Sequence, residues 1–114
     1  MALVSLDLAR GHCRADPGVE DELIGLYLAA AEQAALDYLS RQVFESVEAL
    51  NAAAQAGTAG PNAMVVNAAI KAAILKTTGD LYANREDSVV GANAVELPLT
   101  ARSLLRPHRI VPGV

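Results

Sequence analysis

The sequence predicts an all-α fold: a small bundle of two long helices with two or three short ones and an extended C-terminal arm. Three observations lead there. Hydrophobic residues make up 53% of the 114 residues, yet aromatics only 4% and there is no Trp, so the apolar content is mostly Ala, Leu and Val; Ala and Leu are strong helix formers. Two long stretches carry apolar residues at helical spacing. There is no internal repeat and no βαβ alternation, which leaves a helical bundle as the architecture. The length favours a single domain, expected over residues 1–107 with a tail over 108–114.

The elements follow in chain order. Ser5 is placed to cap a short helix over about 6–13, with Asp7 in its first turn, where the helix dipole favours a negative charge; Leu6, Ala9 and Cys13 share one face. Asp16-Pro17 is a second start signal, Asp as N-cap and Pro at the first helical position, with Glu20, Asp21 and Glu22 in the first turns. A long helix is expected from there to about Ser40. Leu23, Tyr27, Ala30, Ala31, Ala34 and Tyr38 form its apolar stripe, broadened by Ile24, Leu28, Ala35 and Leu39, with Glu32, Gln33 and Asp37 opposite. After Val43 and Phe44, Ser46 starts an Ala-rich helix to about Ala56, whose own packing energy is small because its apolar side chains are nearly all alanine. The run from Gly57 to Asn62 is the clearest break in the chain.

A third strong helix is expected from about Ala63 to Asn84. Val66, Ile70, Ala73, Ile74, Thr77, Leu81 and Tyr82 share a broad face, and Asn67, Lys71 and Asp80 lie off it. The core is therefore expected to contain Leu23, Tyr27, Ala31, Ile70, Ile74 and Leu81, buried between the two long helices. Residues 85–97 read as a loop. Pro98 opens a short helix over about 99–106, which Pro107 ends, and the tail from His108 is expected to be extended and mobile. Gly25 and Gly79 fall inside otherwise good helices, where each costs up to ~1 kcal/mol against Ala. A close approach of another backbone would account for them; tolerated accident is the other account.

Charge and composition exclude several functions. The net charge is −4, which suits an acidic chain poorly to gripping a phosphate backbone. The charge is uneven: residues 1–57 carry nine acids and three bases, residues 58–114 four acids and six bases. Cys13 is the only cysteine, so no intrachain disulfide forms; that fits a reducing compartment. MALVSLDLAR has no basic region followed by a long apolar run, so no signal peptide is expected, and no stretch reaches the length of a transmembrane helix.

Catalytic and ligand patterns are missing. His12 and Cys13 are adjacent, about 100° apart on a helix, and cannot easily share a metal; no phosphate-binding, nucleophile-elbow or zinc-protease motif is present. No cofactor, no metal and no enzymatic activity are expected. Glu20-Asp21-Glu22 reads as a helix's dipole-favoured first turn rather than a cation site. Arg85-Glu86-Asp87 reads equally as an ion-pair site or as a solvated helix end. From Leu99 onward there are three arginines and no acid. Arg102 and Arg106 share a face while the helix lasts, with Arg109 beyond. A solvated surface, an acidic partner subunit or passing DNA would each suit them.

Several ordered segments resemble one family. Leu6-Asp7-Leu8-Ala9-Arg10-Gly11-His12-Cys13-Arg14-Ala15-Asp16 is similar to an L-x-x-A-K-x-H-L-R-x-D opening. Asp21-Glu22-Leu23-Ile24, Tyr27-Leu28-Ala29-Ala30-Ala31, Tyr38-Leu39 and Arg41 follow. Gly79-Asp80-Leu81-Tyr82-Ala83-Asn84-Arg85-Glu86 is similar to a G-x-x-Y-x-N-R-E helix end, and Glu96-Leu97-Pro98, Leu104-Leu105, Pro107 and Arg109 match the closing segment. By these the chain resembles the head–tail connector (adaptor, or head-completion) proteins of long-tailed bacteriophages and related gene-transfer particles. The likeness covers about 1–41 and 66–110. Two departures stand out: the stretch from Ser46 to Asn62 is longer and richer in Ala, and Lys76, Thr77, Thr78 and Asp80 replace residues that are usually more apolar.

The resemblance implies a structural virion protein at the head–tail junction, assembled in the host cytoplasm. Its implied form is a homo-oligomeric ring of twelve, docked under the portal protein and offering a surface to a head-closure or tail protein. Double-stranded DNA would pass through without specific binding, and no membrane is involved. Connectors of this kind reach the portal with their C-terminal part, so Arg102, Arg106 and Arg109 become candidates for portal docking. Arg85, Glu86 and Asp87 become candidates for ring or channel contacts. The competing readings are another phage assembly factor and a small helical DNA-binding regulator. The regulator needs a basic helix in the major groove, whereas helix 18–40 is acidic and the third helix carries only Lys71 and Lys76.

Overall fold

Each helix is bounded by local chemistry that can be read residue by residue. In the computed structural model, which describes residues 3–15, 18, 20–83 and 97–110, α1 spans Leu6–Cys13 and is capped by Ser5, whose Oγ accepts the Leu8 N–H at 3.1 Å. Arg14 ends it in the left-handed region, with φ at 58°. Helix α2 spans Asp21–Leu39 with Glu20 as its N-cap, later than the Asp16-Pro17 signal suggests. Gly18 is the reason: its φ of 83° is incompatible with a helix running through it. Asp16 and Pro17 themselves lie outside the described residues. Ser40, at φ 57°, closes α2, its N–H bonded to the Leu36 carbonyl at 3.0 Å.

Between the long helices the chain forms a miniature β–α–β unit, contrary to the expectation of no such alternation. Strand β1, Val43–Phe44, pairs in parallel with β2, Met64–Val65, with Val43 opposite Met64 and Phe44 opposite Val65. Helix α3, Val47–Gln55, makes the crossover, capped by Ser46 Oγ on the Ala49 N–H at 3.1 Å. Two-residue strands are too short for a period-two pattern to show. Helix α3 ends in a Schellman arrangement, with the Thr58 N–H on the Ala53 carbonyl at 2.8 Å, the Gly57 N–H on Ala54 and Gly57 at φ 78°. Because Met64 and Val65 are in a strand, α4 begins at Ala68 rather than near Ala63 and runs to Ala83. Asn67 is its cap: Oδ1 accepts the Ile70 N–H at 2.9 Å.

Helix α4 is the hub. It packs against α2 on one flank, α5 (Leu99–Leu105) on another and α1 at its end. Ala9, Ala31, Ala73 and Ala101 are fully buried where these helices meet, and Ile24, Leu39, Ile70, Ile74 and Leu105 fill the space between. Tyr27, Ala31, Ile70 and Ile74 are buried, but Leu23 and Leu81 are only half-buried. The row of α2 within the core cluster is Ile24, Leu28, Ala31, Ala35 and Leu39, one residue on from the stripe expected through Leu23. In α4 the last buried turn belongs to Thr77 and Thr78. Each threonine hydroxyl donates to a carbonyl four residues back, Ala73 at 2.9 Å and Ile74 at 2.8 Å, so these polar side chains are buried fully bonded.

The described part of the C-terminal segment, residues 106–110, lies against the body, with Arg109 in extended backbone. One turn of 3₁₀ helix covers Arg106–His108, and Pro107 sits inside it, where its missing N–H costs nothing. The Ile110 N–H then donates to the Leu39 carbonyl at 2.9 Å, satisfying one of the orphan acceptors at the end of α2. Residues 111–114 lie outside the described residues.

Candidate functional site

The arginine-rich segment is built around the exit of α2. Arg109 Nε donates to the Tyr38 carbonyl at 2.7 Å, and its guanidinium lies 4.8 Å above the Tyr38 ring. Arg41 works from the other side, Nε on the Asn62 carbonyl at 2.7 Å and Nη1 on the His108 carbonyl at 3.2 Å. The His108 Nε2 lies 3.4 Å from the Asn67 amide nitrogen, whose orientation is fixed by the cap that Asn67 makes on Ile70. Arg41 thus ties the turn before β2 to the C-terminal segment. Its sequence signals were its position just after a helix and its place in the family's ordered segments; neither showed these contacts.

The three arginines are therefore not equivalent. Arg109 is committed to Tyr38, and Arg102, half-buried, donates from Nε to the Leu97 carbonyl at 3.2 Å. Arg106 caps α5 and is exposed. Arg85, Glu86 and Asp87 lie outside the described residues.

At the other end of the bundle, the acid cluster before and within the first turn of α2 is largely occupied. Tyr82 Oη donates to Glu20 Oε1 at 2.6 Å, joining the end of α4 to the start of α2. Arg10 of α1 bridges Asp7 and Asp21, the latter at 3.0 Å. Glu22 is exposed beside a groove lined by Gly18, Leu23 and Leu26. Glu32, expected on the solvent side, is half-buried and accepts the Leu3 N–H at 3.2 Å. Burial pushes its carboxyl above the ordinary range, opposed by the backbone N–H groups of Leu3 and Val4. Burial likewise raises the Cys13 thiol, which keeps it from the thiolate form that reacts.

Nothing in these contacts assembles a reaction centre. Among the described residues no group of three His, Cys, Asp or Glu side chains could hold a metal ion, and no helix is long and apolar enough to cross a membrane. What the surface does offer is contact area. Leu8, Leu26, Val47 and Leu99 are 49%, 52%, 60% and 73% exposed, large apolar side chains on four different helices.

Compared with known proteins, residues 4–109 match the model of one family, described as phage gp6-like head–tail connector protein. No curated protein and no solved structure matches the chain.

Proposed function

The chain belongs to the phage gp6-like head–tail connector family, a structural phage family, and from that premise we propose that it forms a ring between the portal and the next head-closure or tail protein, extending the DNA channel at the capsid vertex. The family match over residues 4–109 is the observation that carries this reading. Twelve subunits is the ring size the resemblance implies. The absence of a built reaction centre among the described residues is compatible with a part whose work is contact. The net charge of −4 suits a lumen that DNA slides through without being held.

The C-terminal segment is the proposed portal-docking element. Arg106 presents the exposed charge, Arg102 stands one turn before it, and Arg109 holds the segment against Tyr38 so that the other two are displayed on a fixed support. Arg85, Glu86 and Asp87 are the proposed ring or channel contacts. Charge reversal at Arg102 and Arg106 together (Arg102→Glu, Arg106→Glu) is expected to remove the protein from purified heads while the free protein keeps its helical circular dichroism. Heads that carry a full ring of the double variant would end the docking assignment. Imaging of wild-type particles tests the wider reading: density for this protein anywhere but at the portal vertex is incompatible with it.

A further inference from the structure

Helices α2 and α4 bury facing rows of side chains and leave opposite rows bare. At 3.6 residues per turn, positions two residues before a buried row lie about 200° round the helix from it. In α2 the buried row runs through Ile24, Leu28 and Ala31, and the row two residues before it is exposed: Glu22, Leu26 and Ala29. In α4 the buried row runs through Ile70 and Ile74, and its far side exposes Ala68, Ala72 and Lys76, up to the turn of Gly79, over which His12 of α1 lies. Both rows lie on the outer surface of the bundle, one on each of the two packed helices.

The two rows differ in character in a complementary way. The α2 row is apolar at its centre, where Leu26 is 52% exposed, and acidic at its ends, with Glu22 at one and Asp37 at the other. The α4 row is alanine and lysine; Asp80, one turn past Lys76, is its one acid and is already engaged. Among the described residues neither Glu22 nor Lys76 has an ion-pair partner. A Cβ added at Gly25, one residue before Leu26, would meet nothing within 4 Å, so the space over that turn is unused among the described residues.

We propose that the α2 row of one copy docks on the α4 row of the next, Leu26 and Ala29 over Ala72, with Glu22 facing Lys76. The inference rests on the ring reading and gives it a surface. Two different faces of one subunit make a heterologous contact, the kind that closes into rings, and opposite charge on the two faces sets the direction of stacking and opposes like-to-like pairing.

Cross-linking inside particles tests it. In a Cys13→Ala background, Leu26→Cys combined with Ala72→Cys is expected to give a ladder of covalent multimers on mild oxidation or with a short bismaleimide. Either single cysteine variant should stay monomeric. Dimers from Leu26→Cys alone, or no cross-link from the combined variant in particles that carry a normal ring, would overturn the assignment and leave the ring standing. Wild-type particles without a ring would instead remove the reading beneath it. A charge test runs in parallel: Glu22→Lys and Lys76→Glu should each reduce incorporation into heads severalfold, and the two together in one chain should restore it. Failure of the combined chain to recover, with both single variants folded, also counts against the contact.

Discussion

Gly25 and Gly79 both interrupt good helices, and their surroundings separate them. At Gly79 a Cβ would come within 2.7 Å of the His12 imidazole, so α1 lies close over α4 at that turn. At Gly25 nothing among the described residues beyond its own helical turn comes within 4 Å of an added Cβ. Gly25→Ala is therefore expected to stabilise the isolated subunit by about 0.5–1 kcal/mol. Gly79→Ala should gain less or lose, because the exposed His12 ring must swing away. Thermal midpoints of the two variants check this, and an equal gain at both sites would contradict it. Glu32 gives a second test. Its carboxyl is raised by burial, so its contribution to stability is fully present below the ordinary carboxylate range and is lost as pH rises through the raised value. Glu32→Gln keeps an oxygen for the Leu3 N–H and removes the ionisation. Its midpoint should therefore improve on wild type more at about pH 8 than at about pH 4; the same difference at both pH values would show that Glu32 titrates alike in the folded and unfolded chain.

At the scale of elements, the segment Arg106–Ile110 acts as an external cap for α2. Removing its anchor, Arg109→Ala, loses both the hydrogen bond to the Tyr38 carbonyl and the contact with the Tyr38 ring. Cleavage by a protease of broad specificity, such as subtilisin, within residues 108–110 should then quicken severalfold while the helical circular dichroism is kept. Unchanged cleavage would mean that Arg41 and Ile110 hold the segment without it. The helices themselves were legible in the sequence because caps and spacing agree: Ser5 and Ser46 stand where their hydroxyls cap α1 and α3, and the Gly57 break ends α3. The family was legible from ordered segments at both ends of the chain. What escaped had no local signal. The strands are two residues long, the shift from Leu23 to Ile24 is a rotation of 100° within one apolar helix, and the contacts of Arg41 and Arg109 span 67 and 71 residues. The departures at Thr77 and Thr78 are explained by hydroxyls that bond back into α4, which lets polar residues fill a buried turn.

For the whole molecule, α4 is the member on which α1, α2 and α5 all lean, so damage there should spread. Ile74 is fully buried within the core cluster, and Ile74→Ala is expected to cost about 2–5 kcal/mol in urea unfolding, in one transition seen alike by helical signal and by Tyr fluorescence. Leu23→Ala, at a half-exposed site, should cost clearly less. Equal costs would place the core back on the Leu23 stripe.

The dependence of α2 and α4 on the residues that follow them also has a timetable. The chain is made from its N-terminus at about 5–20 residues per second, and Arg109 follows Tyr38 by 71 residues. The end of α2 therefore waits on the order of ten seconds for its cap, and the flank of α4 covered by α5 waits with it. Until then the finished fold's burial of Leu39 and of the α4 flank under Ala101 and Leu105 is incomplete. The surface proposed for the portal is completed after those proposed for ring neighbours, because Arg102 and Arg106 are made later than α2 and α4 and their support at Tyr38 needs Arg109.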